Sequence, residues 1–284
     1  MNEMHRANRR RWDLASPHYS VRRAGDWRQC LADPSLGFER GSLELVRQYV
    51  GQDLAGKTAC VLGSGDNYAV FALAGMGARV TSVDISQAQL DVAAGRAAES
   101  GVEVTFMQGN IVNLPMLADG TFDFACSTNG VMVWITDPAA YYAEVQRLLK
   151  PGGIFLSYDI HPFLRPWNDP PEPLRMVKPY FDSGPKEWLD DPQTGGTILA
   201  SEASPEEREG RISTFKCHWT VGELLVALLG AGLELVHILE EPDTDPEFWL
   251  SGATDEDADL VDWRKNPRVG LPVWLTLVAR KRVQ

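Results

Sequence analysis

Two short segments carry the residue types and spacing most suggestive of chemistry. Cys60-Val61-Leu62-Gly63-Ser64-Gly65-Asp66-Asn67 closes an apolar run with a glycine-bearing turn, and Val80-Thr81-Ser82-Val83-Asp84-Ile85-Ser86 closes a second run with a carboxylate. The glycines let a ligand approach the backbone, and a helix following the turn presents free N–H groups at its positive dipole end. Asp84, nineteen positions after Gly65, stands where a strand-end carboxylate accepts hydrogen bonds from both hydroxyls of a ribose. The pair implies an adenosine-bearing ligand. Tyr68 occupies the place of the third glycine that the pyrophosphate of NAD or FAD requires, which argues against a dinucleotide oxidoreductase. A phosphate-free adenosine cofactor, S-adenosylmethionine, fits instead.

Such a pair needs strands and helices to hold it, and the flanking pattern supplies them. Short apolar runs alternate with longer amphipathic stretches between Lys57 and Asp159, the signature of βαβ units in a doubly wound α/β core. Strands are expected at Ala59 to Leu62, Arg79 to Asp84, Glu103 to Met107, Phe122 to Ser127 and Gly153 to Asp159. Helices are expected at Tyr68 to Met76, Ser86 to Ser100 and Pro138 to Leu149, the last stopped by Pro151-Gly152-Gly153. Beyond Asp159 the pattern breaks down, and nine of the 18 prolines fall between Pro162 and Pro205, as expected of a long insertion serving as a lid. Order returns near Arg211, with a helix from Thr220 or Val221 to Gly230 and strands at Leu233 to Leu239 and Pro272 to Lys281. The division expected is a helical cap over 1–55, the core over 56–160, the insertion over 161–215, and the rest of the sheet over 216–284 with an acidic surface insertion at 240–270.

Five motifs then resemble, in order, those of class I methyltransferases: Leu62-Gly63-Ser64-Gly65, Val83-Asp84-Ile85-Ser86, Gly109-Asn110-Ile111, Phe122-Asp123 to Ser127, and Leu148-Leu149-Lys150-Pro151-Gly152-Gly153. The resemblance covers about residues 55 to 160. The tail from Trp219, and Arg10-Arg11-Trp12-Asp13-Leu14-Ala15 to Tyr19, are similar to the small-molecule branch of ubiquinone and menaquinone methyltransferases (methyltransferase type 11). It implies a seven-stranded Rossmann-like sheet with an N-terminal helical cap and an insertion after the fifth strand. It also implies S-adenosylmethionine as cofactor: Gly63, Ser64 and Gly65 beside the methionine, Asp84 on the ribose, Ile85 on the adenine face, Asn110 and Ile111 at its edge, Ser127 near the sulfonium, and Tyr19 closing over the methionine end. The chain departs from the family at Val61 and Asn110, where acidic residues are usual, although the Asn110 amide oxygen still accepts a hydrogen bond.

Methyl transfer is an in-line displacement at an activated carbon, so alignment and exclusion of water matter most, and a base is optional. His161, just past the fifth strand, and His18, in the cap, are the base candidates; His218 is third, and His5 and His237 read as ordinary. Trp12, Trp27, Trp134, Phe163, Trp167 and Trp219, with Asn129, Met132 and His218, suggest a wall suited to a flat aromatic or heteroaromatic acceptor. The leading expectation is methylation of an N, O or C atom of a small metabolite; the alternatives are a non-catalytic adenosine-ligand binding protein and a protein-directed methyltransferase.

Composition narrows the partners. Twenty-seven basic against 39 acidic residues give a net charge of -12 in 284 residues, which opposes binding to nucleic acid or an anionic membrane. Cys30, Cys60, Cys126 and Cys217 form no metal or disulfide pattern, and the arginines at 6 and 9–11 precede no apolar run. A reduced cytoplasmic protein without metal, monomeric or homodimeric, is the expectation.

Overall fold

In the computed structural model the described residues are 2–22, 27–38, 41–65, 68–128, 130–167, 175–191, 196–249 and 267–283, with Asp262 and Arg264. Within these ranges the side chains at 18–22, 247 and 267–268 lie outside the description. The core is a seven-stranded sheet in the order β3-β2-β1-β4-β5-β10-β9. Its strands are β1 (Thr58–Leu62), β2 (Arg79–Asp84), β3 (Val104–Gln108), β4 (Phe122–Thr128), β5 (Leu149–Ile160), β9 (Leu233–Glu241) and β10 (Trp274–Lys281). β1 to β5 run parallel, and β10 is antiparallel to both of its neighbours. Period-two alternation makes the sheet two-faced: Ala59 and Val61 enter one apolar cluster, Cys60 and Leu62 the other. The first cluster holds α2 (Ser42–Tyr49) and α3 (Tyr68–Gly75); the second holds α5 (Pro138–Leu148) and α7 (Val221–Gly230). This three-layer arrangement is the doubly wound Rossmann-like architecture expected, with strand order reversing between β1 and β4, where such sheets open a ligand crevice.

Local chemistry fixes the element ends. α4 (Gln87–Ser100) starts at Ser86, whose hydroxyl accepts from Gln89 N–H, and ends at Gly101 in the left-handed region. α5 starts at Asp137 with Pro138 in its first turn. α5 ends at Leu148, ahead of Pro151-Gly152-Gly153, and β5 does not start at Gly153 as the sequence suggests; it begins at Leu149, beside Phe122, and runs through these residues. Gly153 is tight there, since a Cβ would lie 2.9 Å from Lys150 O and 3.1 Å from Phe122 O.

The insertion departs most from expectation. Instead of an irregular lid it contains a three-stranded antiparallel sheet, β7-β6-β8, of β6 (Gly184–Asp190), β7 (Thr197–Leu199) and β8 (Ile212–His218). Apolar alternation could not reveal these strands because both faces mix polar and apolar side chains: Trp188 and Ile212 share one with Asp190, Thr214 and Lys216, and Glu187 and Ser213 share the other with Leu189 and Phe215; Asp190 and Thr214 are joined by a 3.3 Å hydrogen bond. The Asp190 face is covered by α1 (Glu3–Arg22), whose Asn8 amide donates to Phe215 O at 2.8 Å and accepts from Phe215 N–H at 2.7 Å. The acidic insertion at 240–270 is also not all surface. β9 continues through Glu240 and Glu241, and Asp243 is buried, its carboxylate accepting from the Trp274 indole at 3.0 Å and its carbonyl from Trp249 at 2.9 Å. Residues 250–261 lie outside the described residues. Among the described residues no helix is long and apolar enough to cross a membrane.

Candidate active site

The crevice at the carboxyl ends of β1 and β4 opens into a cavity of about 410 Å³, in the range of small-molecule sites. Its floor is the turn after β1. Gly63 and Gly65 hold φ of 69° and 51°, conformations L side chains avoid, and the N–H groups of Gly63 and Ser64 bond to Val83 O at 2.8 and 3.1 Å. A Cβ on Gly63 would press within 3.1 Å of Val131, so the turn is narrow as well as strained. Ser64 Oγ is anchored to Ser82 Oγ at 2.5 Å. Asp66 and Asn67 lie outside the described residues.

Asp84 sits at the tip of β2, its Oδ2 accepting from Gly65 N–H and its Oδ1 from Ser86 N–H, both at 2.8 Å. Burial pushes its carboxyl up to about 6, against the pull of these N–H donors and with a small push from Asp13. Asp13 of α1 accepts from the Ser86 hydroxyl at 2.6 Å, so the cap helix is fastened to the start of α4 beside the carboxylate. Gln89, one turn into α4, is 3% exposed and lines the cavity; its Oε1 makes no hydrogen bond among the described residues. Ile85, Asn110 and Ile111 line the same end. The Asn110 amide nitrogen donates to His5 Nδ1 at 2.8 Å, and His5 Nε2 lies 2.7 Å from Thr136 Oγ1. His5 therefore carries its proton on Nε2, and burial keeps its pKa below the ordinary value.

At the other end, Trp12 of α1 and Trp134 after β4 meet edge to face with centroids 5.4 Å apart, and Val133, Ile160 and Arg165 complete the wall. Behind the tryptophans Asp190 takes two cations, Arg11 Nε at 3.1 Å and Lys216 Nζ at 3.0 Å, with the carboxylate side chain 2% exposed. The Arg11 guanidinium stacks 4.3 Å from the Trp12 ring centre, and Lys216 reaches within 5.8 Å of Trp134. Burial lowers the Lys216 pKa, with Asp190 opposing.

The cavity thus gathers Gly63, Ser64, Gly65, Asp84, Ile85, Asn110, Ile111, Trp12 and Trp134 of the residues singled out from sequence. Others stand elsewhere. His161 lines neither this cavity nor the smaller one beside it: its Nδ1 accepts from Phe163 N–H at 3.0 Å and its Nε2 donates to Glu240 at 2.7 Å, so both nitrogens are committed. Ser127 is turned into the core, accepting from the Tyr141 hydroxyl at 3.0 Å. Trp27 is buried against Phe71 in the first apolar cluster, away from the crevice. Phe163 contacts Trp167 and Tyr180 within the insertion, and neither Phe163 nor Trp167 reaches the cavity. Met132, His218 and Trp219 line a smaller neighbouring cavity, with the Trp219 indole donating to Ile135 O at 2.8 Å. Asn129, and the side chains of His18 and Tyr19 on α1, lie outside the described residues.

Sequence reasoning missed His5, Asn8, Gln89 and Arg165, which line the cavity. His5, Asn8 and Trp12 recur at three and four residues along α1, a helical stripe that a search for apolar periodicity passes over because two of its members are polar.

Comparison with known proteins agrees with this geometry. Residues 61–157 match the methyltransferase domain family Methyltransf_11. The ubiquinone biosynthesis O-methyltransferase of Nitrosococcus oceani is 34% identical over 116 residues, 40% of this chain and 48% of that protein. The chain spans about half the length of the curated relatives it matches. An S-adenosylmethionine-dependent methyltransferase from Mesorhizobium loti superposes with a TM-score of 0.57 at 22% identity, over 85% of this chain and 98% of that one. The [4+2]-cyclase SpnF superposes with a TM-score of 0.56 at 18% identity, over 97% and 95%. The fold is that of class I methyltransferases, and the cyclase shows that this fold also hosts other chemistry.

Proposed function

We propose that this chain, which carries a class I methyltransferase domain over residues 61–157, is an S-adenosylmethionine-dependent enzyme that methylates a small aromatic or heteroaromatic molecule at an N, O or C atom. The observation that carries the reading is a single cavity with adenosine-complementary groups at one end and an aromatic wall at the other. When bound, S-adenosylmethionine supplies a methyl carbon on positively charged sulfur, open to in-line displacement. The residues present fit that cofactor. Asp84 would accept from the ribose hydroxyls, and the unpartnered Gln89 Oε1 adds a buried acceptor beside it. Gly63, Ser64 and Gly65 would border the methionine, Ile85 would cover the adenine, and Asn110 and Ile111 would meet its edge.

The chain's own contribution is alignment and dryness. Trp12 and Trp134 orient a flat acceptor by stacking and offer π-faces to a cationic centre, while α1, held at both ends of the cavity, excludes water. The imidazole in this cavity, His5, is bonded through both nitrogens, so positioning supplies the acceleration rather than a base from that ring. The acidic net charge supports a small-molecule acceptor over nucleic acid, and the four free cysteines support a reducing, cytoplasmic setting. Calorimetric titration with S-adenosylmethionine, and with NADH in parallel, tests the reading. Micromolar binding of the former alone, followed by label transfer to an aromatic acceptor, is expected; binding of NADH alone, or of neither, overturns it.

A further inference from the structure

Val133, Ile160 and Arg165 line both the large cavity and a second space of about 30 Å³, so the two adjoin at these residues. The smaller space holds one small polar group. Two of its lining side chains are buried with a polar atom that makes no hydrogen bond among the described residues: Tyr142 through its hydroxyl, at 0% exposure, and His218 through Nδ1, at 7%. Buried polar atoms are rarely left without partners, so two facing one hole mark a place built for a ligand atom.

The hydrogen-bond inventory specifies that atom. His218 Nε2 lies 2.8 Å from the Tyr180 carbonyl, which only accepts, so Nε2 carries the proton and Nδ1 presents a lone pair. Asp159, also in the lining, offers a carboxylate already accepting from Met132 and Ile160 N–H. Tyr142 has a proton to give, and the Arg165 guanidinium, 3.6 Å from Asp159, adds positive charge to the lining. An incoming carboxylate or phosphate would face two acceptors, and an ammonium would face the Arg165 guanidinium. A group that both donates and accepts satisfies the set. We propose that the smaller cavity is a hydroxyl-binding subsite of the acceptor pocket, in which His218 Nδ1 accepts the proton of an acceptor hydroxyl and the Tyr142 phenol donates to its oxygen. This rests on the large cavity being the acceptor site. Both side chains act as positioning residues, fixing how a hydroxylated aromatic ring lies against Trp12 and Trp134.

The test titrates the full chain with phenol, catechol and toluene, with and without S-adenosylhomocysteine. Phenol and catechol bind about tenfold tighter than toluene, the effect of one well-made hydrogen bond. Tyr142→Phe and His218→Phe remove most of that preference and leave S-adenosylhomocysteine affinity unchanged; His218→Gln, whose amide oxygen also accepts, restores part of it. Burial, with Arg165 and Lys178 nearby, holds the His218 pKa below its ordinary 6.5, against the Tyr180 carbonyl and Glu223; Asp159, Tyr142 and the Cys217 thiol are the other titratable groups around the space. The phenol preference therefore falls as pH drops through that lowered value, and His218→Gln abolishes the fall. Equal binding of phenol and toluene, as when the space holds only water, overturns the proposal, as does a preference that survives Tyr142→Phe and His218→Phe. Failure of S-adenosylhomocysteine to bind sinks the methyl-transfer reading, while the titrations without it still report on the subsite.

Discussion

The two ends of the large cavity are built in different ways. At the adenosine end, the recognition groups come from short stretches at the tips of adjacent parallel strands: the turn after β1, Asp84 after β2, and Asn110 after β3. The turn and Asp84 are held to each other by backbone N–H groups about twenty residues apart, as Gly65 N–H holds Asp84, and α1 adds the His5–Asn110 and Asp13–Ser86 bonds at this end. At the acceptor end, α1 and the β6–β8 sheet, separated by 179 to 207 residues in sequence, meet through Asn8, Arg11 and the buried Asp190. Backbone geometry fixes the glycine turn and the carboxylate of the first end. Side-chain contacts between distant segments fix the second, which makes it easier to alter without losing the fold and easier to break with one substitution.

The largest expected effect is at the distant contact. Asp190→Ala leaves Arg11 and Lys216 without their shared carboxylate in a largely buried setting, and should destabilise by about 3–5 kcal/mol, read as a lower denaturant midpoint. If cofactor affinity falls in step with that midpoint, the two ends are not independent and the contrast fails. Next comes Asp84→Ala, expected to weaken S-adenosylmethionine binding by about 1–3 kcal/mol through lost charged hydrogen bonds, with little change in acceptor affinity. Unchanged cofactor affinity would remove Asp84 from the ribose.

The same carboxyl sets a pH dependence. With its pKa raised from 3.8 to about 6 in the fold, its contribution to stability is fully present below 3.8 and is lost as pH rises through about 6. Cofactor affinity runs the opposite way, since the ionised form is the acceptor: it should drop as pH is lowered through about 6, and Asp84→Ala should flatten that profile. Trp134→Ala should raise the acceptor KM, corresponding to about 1 kcal/mol, and leave cofactor affinity alone; a matched loss of both would show one continuous site rather than two constructions. Smallest is His161→Gln, whose lost cap and partly exposed Glu240 pair should cost about 1 kcal/mol of stability with turnover preserved. A fall in turnover at unchanged stability would return His161 to the chemistry.

Gly63, Gly65 and Asp84 were legible in sequence because their roles follow from backbone conformation and strand-end position, which local spacing encodes. Placement of the aromatic and imidazole side chains was not. Trp27 and Trp134 are the same residue type near the same sheet, yet one packs on Phe71 in the core and the other faces the cavity. His161 and His5 read oppositely from their positions, but His161 is tied to Glu240 while His5 touches Asn110 in the cavity wall.

By itself, then, the sequence determined the doubly wound core, its glycine turn and the strand-end carboxylate, because hydrophobic period, turn chemistry and helix caps are set by residues a few positions apart. Tertiary structure alone decided that β6, β7 and β8 form a sheet, that α1 closes on it, and which histidines and tryptophans reach the cavity. A sheet whose two faces both mix polar and apolar side chains leaves no apolar alternation to read, and a side chain's surroundings depend on which distant segment packs against it.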